Sequence, residues 1–463
     1  MLGAAPMIRH SLLLVCLLAV GCGQESSLLS IGASSETNPA IHFITTDTEV
    51  TRVFLPEQVH VQLSGFAAAS RVTLRASITG YESRADFLTD AAGSLDVASQ
   101  APLDGTYEGA DADGLFWSMV TTGATAASPG ADSSDVTVEA EVDGRVVTRA
   151  TLARYAVADG LVETTVHDDG LVGVLVTPAA PGPHPALLIF GGSEGGIDYG
   201  HRNARHYASL GYSCLGVAYF NAEKLPPYLE DLPLEYFGKA LSWMKSRPEV
   251  KADAIGVVGA SRGGELALLL GATFPEVKAV VANVPSGVVW SGWNPEWPER
   301  AASSWTFGGD ELSYMPNTDA PPLWNMDEAG RTVEHGTPMF DAALDAASPA
   351  ELEAAAIRVE KVNGPVLMLA AGDDQMWPSC RLAELAMKRL TAAGHTAKFA
   401  DDLVCYPGAG HYLGAPGRPT TDPSLIRSDR HIWIALGGMP AGIAHAQRDA
   451  FERRRAFLAK ALR

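Results

Sequence analysis

Serine, aspartate and histidine can together turn an unreactive hydroxyl into a nucleophile, and this chain holds them in a suggestive order. Ser261 lies within Gly259-Ala260-Ser261-Arg262-Gly263, where an apolar run over Ala254–Val258 gives way to a helical pattern over Arg262–Leu270. A G-x-S-x-G turn between a strand and a helix presents the serine hydroxyl, and its flanking glycines avoid the clash that side chains would cause there. The hydroxyl reacts poorly until a base takes its proton, and the base needs a carboxylate to orient it. Downstream, "LMLAAGDDQMWPS" ends one apolar run in Asp373-Asp374, and "VCYPGAGHYLG" ends another in a glycine-flanked His411. The order Ser, Asp, His is the one that suits a serine on this kind of turn. Of twelve histidines, His411 combines a strand end with small neighbours that leave an imidazole room to rotate. His431 and His445 fall in a later loop and helix. Of the two aspartates we select Asp374, which reaches further across the sheet edge, and leave Asp373 to solvent or a turn hydrogen bond.

A carbonyl attacked by Ser261 would gather negative charge on its oxygen, and backbone amides are the usual donors to it. The amide of Arg262 is one. The second falls to Ser193 or Glu194 in "IFGGSEGGID" (189–198), where glycines free the backbone to converge. That loop lacks the P-loop lysine and the G-x-G-x-x-G spacing of a phosphate cradle. No C-x-x-C pair or closely spaced histidine pair suggests a metal, and no cofactor is implied.

The elements that must position these residues change character along the chain. From about Pro39 to Tyr155 apolar residues fall at every second position, as in "SRVTLRASI", and Asp143-Gly144 is a hairpin signal. This predicts a β-sandwich over 39–157, with a flexible loop at 123–135. After a strand pair near Leu161–Pro178, continuous apolar strands such as "PALLIFGG" and "SCLGVAYF" alternate with helical segments. That alternation predicts a largely parallel sheet with helices on both faces over 158–463, active at the carboxyl edge of its strands. Residues 290–345, rich in Trp and Pro, break the alternation and read either as a lid-like excursion or as packing.

The 463 residues carry a formal charge of -20, which argues against a nucleic-acid partner. At the N-terminus, "MIRHSLLLVCLLAVGCGQESS" has a basic start and an apolar run too short to span a membrane stably. Ala19-Val20-Gly21-Cys22 has the form of a bacterial lipobox. The expectation is a signal over 1–21, lipidation of Cys22, a tether over 22–38, and an exported protein held at the membrane of a cell envelope by its lipid. The other cysteines, apart from Cys16, are Cys214, Cys380 and Cys405, too few for a disulfide framework, although a Cys380–Cys405 bridge is open.

Taken together these stretches resemble the acyl-CoA thioesterase and bile acid-CoA:amino acid N-acyltransferase family. "DGTYEGADADGLFWSM" (104–119) is similar to its N-terminal signature, and "GGSEGG", "LPLEYF" (232–237), "GASRGGELAL", "DDQMWPS" and "YPGAGH" are similar to its α/β-hydrolase half, in the same order. The resemblance implies a β-sandwich followed by an α/β-hydrolase domain, a Ser261–Asp374–His411 triad, and hydrolysis of acyl thioesters through an acyl-enzyme. In that family serine marks the hydrolases and cysteine the members that conjugate bile acids, so Ser261 implies transfer to water. A carboxylester hydrolase of the dienelactone-hydrolase type is the alternative, and a non-catalytic surface binding module a second. Were CoA the carrier, Arg262, Arg202, Arg205 and Lys224 would be the nearest cations by sequence position.

Overall fold

The computed structural model describes residues 38–123, 132–294, 296, 302–316, 321–422, 425–427 and 432–462. Cys22 and the segment read as an export signal lie outside the described residues, as do 124–131 of the expected loop. The strand that follows begins at Ser133, so that loop ends earlier than the sequence suggested.

Alternation of side chains makes strands with one buried face in the first third of the chain. In Arg71–Ile78, Val72, Leu74 and Ala76 are inside, and in Ser133–Val142, Val136, Val138 and Ala140 are. Asp143 and Gly144, both at positive φ, join Ser133–Val142 to Arg145–Tyr155 as a two-residue hairpin. These strands, with Tyr81–Leu88, form the body of a seven-stranded sheet, and Ala40–Thr45 and His60–Ser64 the body of a four-stranded one. Inward residues of both sheets share one apolar cluster.

The second region is built on eight strands: β1 (Val162–Val166), β2 (Val172–Thr177), β3 (His184–Phe190), β4 (Ser213–Ala218), β5 (Val250–Ala260), β6 (Val277–Asn283), β7 (Val366–Ala371) and β8 (Asp402–Tyr406). Their order across the sheet is β1-β2-β4-β3-β5-β6-β7-β8. From β4 to β8 every pairing is parallel, while β1 with β2 and β2 with β4 are antiparallel. Every residue of β4 and β7 is buried, as a strand covered on both faces requires. Helices α1 (Asp198–Ser209) and α5 (Pro440–Ala461) contribute to the apolar cluster on one face. On the other lie α2 (Glu235–Lys245), α3 (Arg262–Thr273) and α4 (Ser379–Ala392).

The two regions are fastened along the segment 104–119. Arg448 of α5 grips Asp113 with two bonds of 2.8 and 2.9 Å, and His445 meets Asp111 at 2.8 Å. Backbone carbonyls of Trp117 and Met119 accept from Thr420 and Thr421. Trp290 and Trp305, in the Trp- and Pro-rich stretch, are core residues, so packing is the reading that holds for them. Cys380 and Cys405 are bridged, with their Cα atoms 5.7 Å apart, and Cys214 is free and buried. Among the described residues no helix is long and apolar enough to cross a membrane, and no cluster of His, Cys, Asp and Glu could hold a metal ion.

Candidate active site

β5 ends at Ala260, α3 begins at Arg262, and Ser261 makes the turn by itself, at φ 59° and ψ -125°. A positive φ costs a residue with a side chain about 1–3 kcal/mol and persists where the surroundings enforce it. Here they do. A Cβ on Gly259 would stand 2.0 Å from the Gly263 carbonyl oxygen, and one on Gly263 would stand 2.3 Å from that of Gly191, so neither flank tolerates a side chain. The Ser261 amide donates to Asn283 at the end of β6 (2.9 Å), and its carbonyl accepts from Gly264 and Glu265 (2.8 and 3.1 Å). The first amides of α3 have no partner within the helix and are available to an anion.

Asp374 and His411 follow β7 and β8, which pair side by side, so the sheet itself delivers both residues to the edge where β5 delivers Ser261. The carboxylate of Asp374 accepts from His411 Nδ1 at 2.8 and 3.0 Å, and from the amides of Met376 and Trp377 at 3.0 and 3.3 Å. The pair is sealed from water: the two side chains are 1% and 9% exposed. Thr337 donates to the Asp374 carbonyl (2.7 Å), and the His411 amide donates to Leu436 (2.7 Å). Trp377 sets its ring edge-on to the imidazole, centroids 6.1 Å apart. Nδ1–H directed at a carboxylate leaves the lone pair on Nε2, which has no hydrogen-bond partner among the described atoms. Asp373 faces elsewhere, accepting from Gln375 and from the Gly438 amide (both 3.1 Å).

The glycine-rich loop after β3 reaches the same place. A Cβ on Gly192 would come 3.1 Å from Ser261 Cβ, which sets this backbone directly beside the serine. The Gly192 amide is occupied by the Glu194 carboxylate (3.0 Å), whereas the amides of Ser193 and Glu194 have no acceptor among the described residues. Tyr219, just past β4, steadies the loop by donating to the carbonyls of Gly191 and Gly192 (2.9 and 3.1 Å). Sequence reasoning missed Tyr219, although its place at a strand's carboxyl end was a usable signal.

One expectation is corrected. The Arg262 side chain is no surface cation: it is buried, pairs with Glu265 at 2.9 Å, and donates to the carbonyls of Trp290 and Ser291 and to Ser304. A helix that starts directly after Ser261 turns this side chain into the core. Arg205 is engaged with Asp132 (2.6 Å), while Arg202 and Lys224 are exposed.

The sequence matches two family descriptions: Acyl-CoA thioester hydrolase/BAAT N-terminal region over residues 56–168, and BAAT / Acyl-CoA thioester hydrolase C terminal over residues 232–463. Acyl-coenzyme A thioesterase 1 of Rattus norvegicus is 30% identical over 424 residues, 88% of this chain and 94% of that protein. The chain belongs to the acyl-CoA thioester hydrolase/BAAT family. Acyl-coenzyme A thioesterase 1 of Homo sapiens is equally similar, 30% identical over 422 residues with the same coverage of both chains. Mitochondrial acyl-coenzyme A thioesterase 2 of Homo sapiens is 30% identical over 88% of this chain and 82% of its own. Within this family, segment 104–119 is part of the N-terminal match, and Ser261, Asp374 and His411 all fall in the C-terminal one.

Proposed function

We propose that the chain is a serine hydrolase that cleaves acyl thioesters of the acyl-CoA kind through an acyl-enzyme. The observation that carries this reading is His411: Nδ1 held by Asp374, Nε2 unpartnered, at the sheet edge that also presents the strained Ser261. Ser261 Oγ attacks the thioester carbonyl while His411 Nε2 takes its proton. The amides of Arg262 and of Ser193 or Glu194 hold the oxyanion. Collapse breaks the C–S bond, and His411 returns the proton to the departing thiolate. Water then attacks the acyl-serine, His411 takes its proton, and the acid leaves as Ser261 Oγ is reprotonated. Asp374 orients the imidazole and stabilises its cationic form. No bound group is needed for any step.

The two sheets of the first region read as a β-sandwich joined to an α/β-hydrolase domain. Export and lipidation of Cys22 are part of the same proposal and rest on the sequence alone. Intact-mass analysis should place the mature N-terminus at a lipid-modified Cys22, and a mature chain starting beyond residue 22 would refute it. The chemistry is tested with matched thioester and ester panels after labelling by a serine-reactive fluorophosphonate. Labelling together with cleavage of fatty-acyl thioesters supports the proposal. Labelling with cleavage of esters alone converts it to a carboxylester hydrolase, and no labelling at all leaves a binding module.

A further inference from the structure

Beside His411 lies a cavity of about 150 Å³, several waters' worth of space, between α1, α5 and the loop after β8. Three guanidinium groups line it: Arg202, Arg418 and Arg454. Arg454 is 6% exposed, and among the described residues its acceptors are all neutral: the Asn283 side-chain oxygen (2.9 Å) and the carbonyls of Leu413 and Gly414 (3.3 and 3.4 Å). Asp132, the carboxylate in the lining, is turned to Arg205. A buried cation whose acceptors carry no charge is costly to keep unless an anion offsets it. The rest of the lining reports the same field. His206 is held neutral, its pKa pushed down to about 4 by burial with Arg454 and Arg418 adding to the effect. Arg418 is also lowered, by burial first and by Arg202 as a like charge, with Tyr412 and Asp132 pulling the other way.

We propose that this cavity binds one compact oxyanion of the phosphate or carboxylate class, held by Arg202, Arg418 and Arg454 against His411. A chain of charge -20 repels anions at long range, so a local group of arginines is what such binding would require. Guanidinium forks suit both phosphate and carboxylate geometry. The oxyanion can come free from solution or as a charged group on the substrate itself. The second source rests on the thioester reading above, and the first does not.

The full chain, melted in rising inorganic phosphate with ionic strength held constant by chloride, should show a saturable rise in Tm that Arg202→Ala and Arg418→Gln each reduce. A flat Tm, or a rise that survives both substitutions, overturns the proposal. Arg454 is left intact, because replacing it would also cut its bonds to Asn283 and Leu413. The source is read from the ratio of kcat/KM for a CoA thioester to that for the matching N-acetylcysteamine thioester, which carries no phosphate. A substrate-borne oxyanion predicts that Arg202→Ala lowers this ratio about tenfold, the worth of one charge-assisted contact. A free oxyanion predicts an unchanged ratio, with phosphate altering the rates on both thioesters alike. Either result supports the site. Loss of all thioester cleavage with the phosphate-dependent Tm retained would refute the proposed function and leave this site standing.

Discussion

Among the described residues two fully buried histidine–aspartate pairs share nearly the same bond, and their surroundings set them apart. His411 Nδ1 meets Asp374 at 2.8 Å, and His395 Nδ1 meets Asp401 at 2.7 Å. Both pairs are buried, and both histidines follow a glycine. In His395 the second nitrogen lies 2.8 Å from the carbonyl oxygen of Val362. A carbonyl only accepts, so Nε2 carries its hydrogen there and has no lone pair to give. In His411 the second nitrogen has no such partner. A short carboxylate–imidazole bond is therefore no sign of catalysis by itself. The unpartnered nitrogen, at the sheet edge that also presents Ser261, makes the difference.

The sharpest way to break this comparison is to remove each partner in turn. Ser261→Ala and His411→Ala should each lower kcat by about 10⁴ to 10⁶, with the melting curve nearly unchanged. His395→Ala should do the reverse, costing about 2–3 kcal/mol of stability through two lost buried bonds while the folded fraction keeps its turnover. Equal losses of kcat in the two histidine variants, measured on protein shown to be folded, would erase the distinction.

The next test separates neighbours. Asp374→Asn should cost about 10⁴ in kcat, because an amide cannot hold the same tautomer and charge on His411. Asp373→Asn should cost less than about tenfold, through disturbance of its contacts to Gln375 and the Gly438 backbone. A larger loss for Asp373 would reassign the orienting carboxylate.

The first pair was readable from sequence because its cues are local: an apolar run, then a carboxylate or a histidine among small residues. That Asp374 rather than Asp373 meets His411 was also recoverable, since the residue further past the strand crosses the edge. Other parts depend on contacts that no window of sequence contains. Asp113 and Arg448 are 335 positions apart, and so nothing around "GLFWS" announces that it fastens α5 to the first region. The Arg262 side chain was misplaced for the same reason, because its ion-pair partner is local but Trp290, Ser291 and Ser304 are not. Likewise, the arginines beside His411 come from α1, α5 and the loop after β8, and only folding assembles them. The Cys380–Cys405 bridge joins both lessons. It encloses His395 and Asp401, while its ends adjoin the loops that carry Asp374 and His411. One crosslink thus encloses one pair in sequence and flanks the other.

The smallest expected effect concerns a third buried ion pair, Arg262 with Glu265, which supports the elbow without reaching its chemistry. Burial raises the Glu265 carboxyl from 4.5 to about 7, with Arg262 and the Trp305 indole N–H pulling the other way. The folded protein therefore holds this proton more tightly than the unfolded chain does. Its stabilising contribution is complete below about pH 4.5 and is lost as pH rises through about 7. Across that window the wild-type Tm should fall relative to that of Glu265→Gln by a few degrees, on the order of 2–4 °C for each kcal/mol involved. Any offset between the two curves that does not change with pH comes from exchanging the neutral acid for an amide, because protonated Glu265 carries no charge for Arg262 to pair with. The reading is accordingly the slope of the difference between the two curves, and parallel curves from pH 4.5 to 7 would show that Glu265 titrates outside this window.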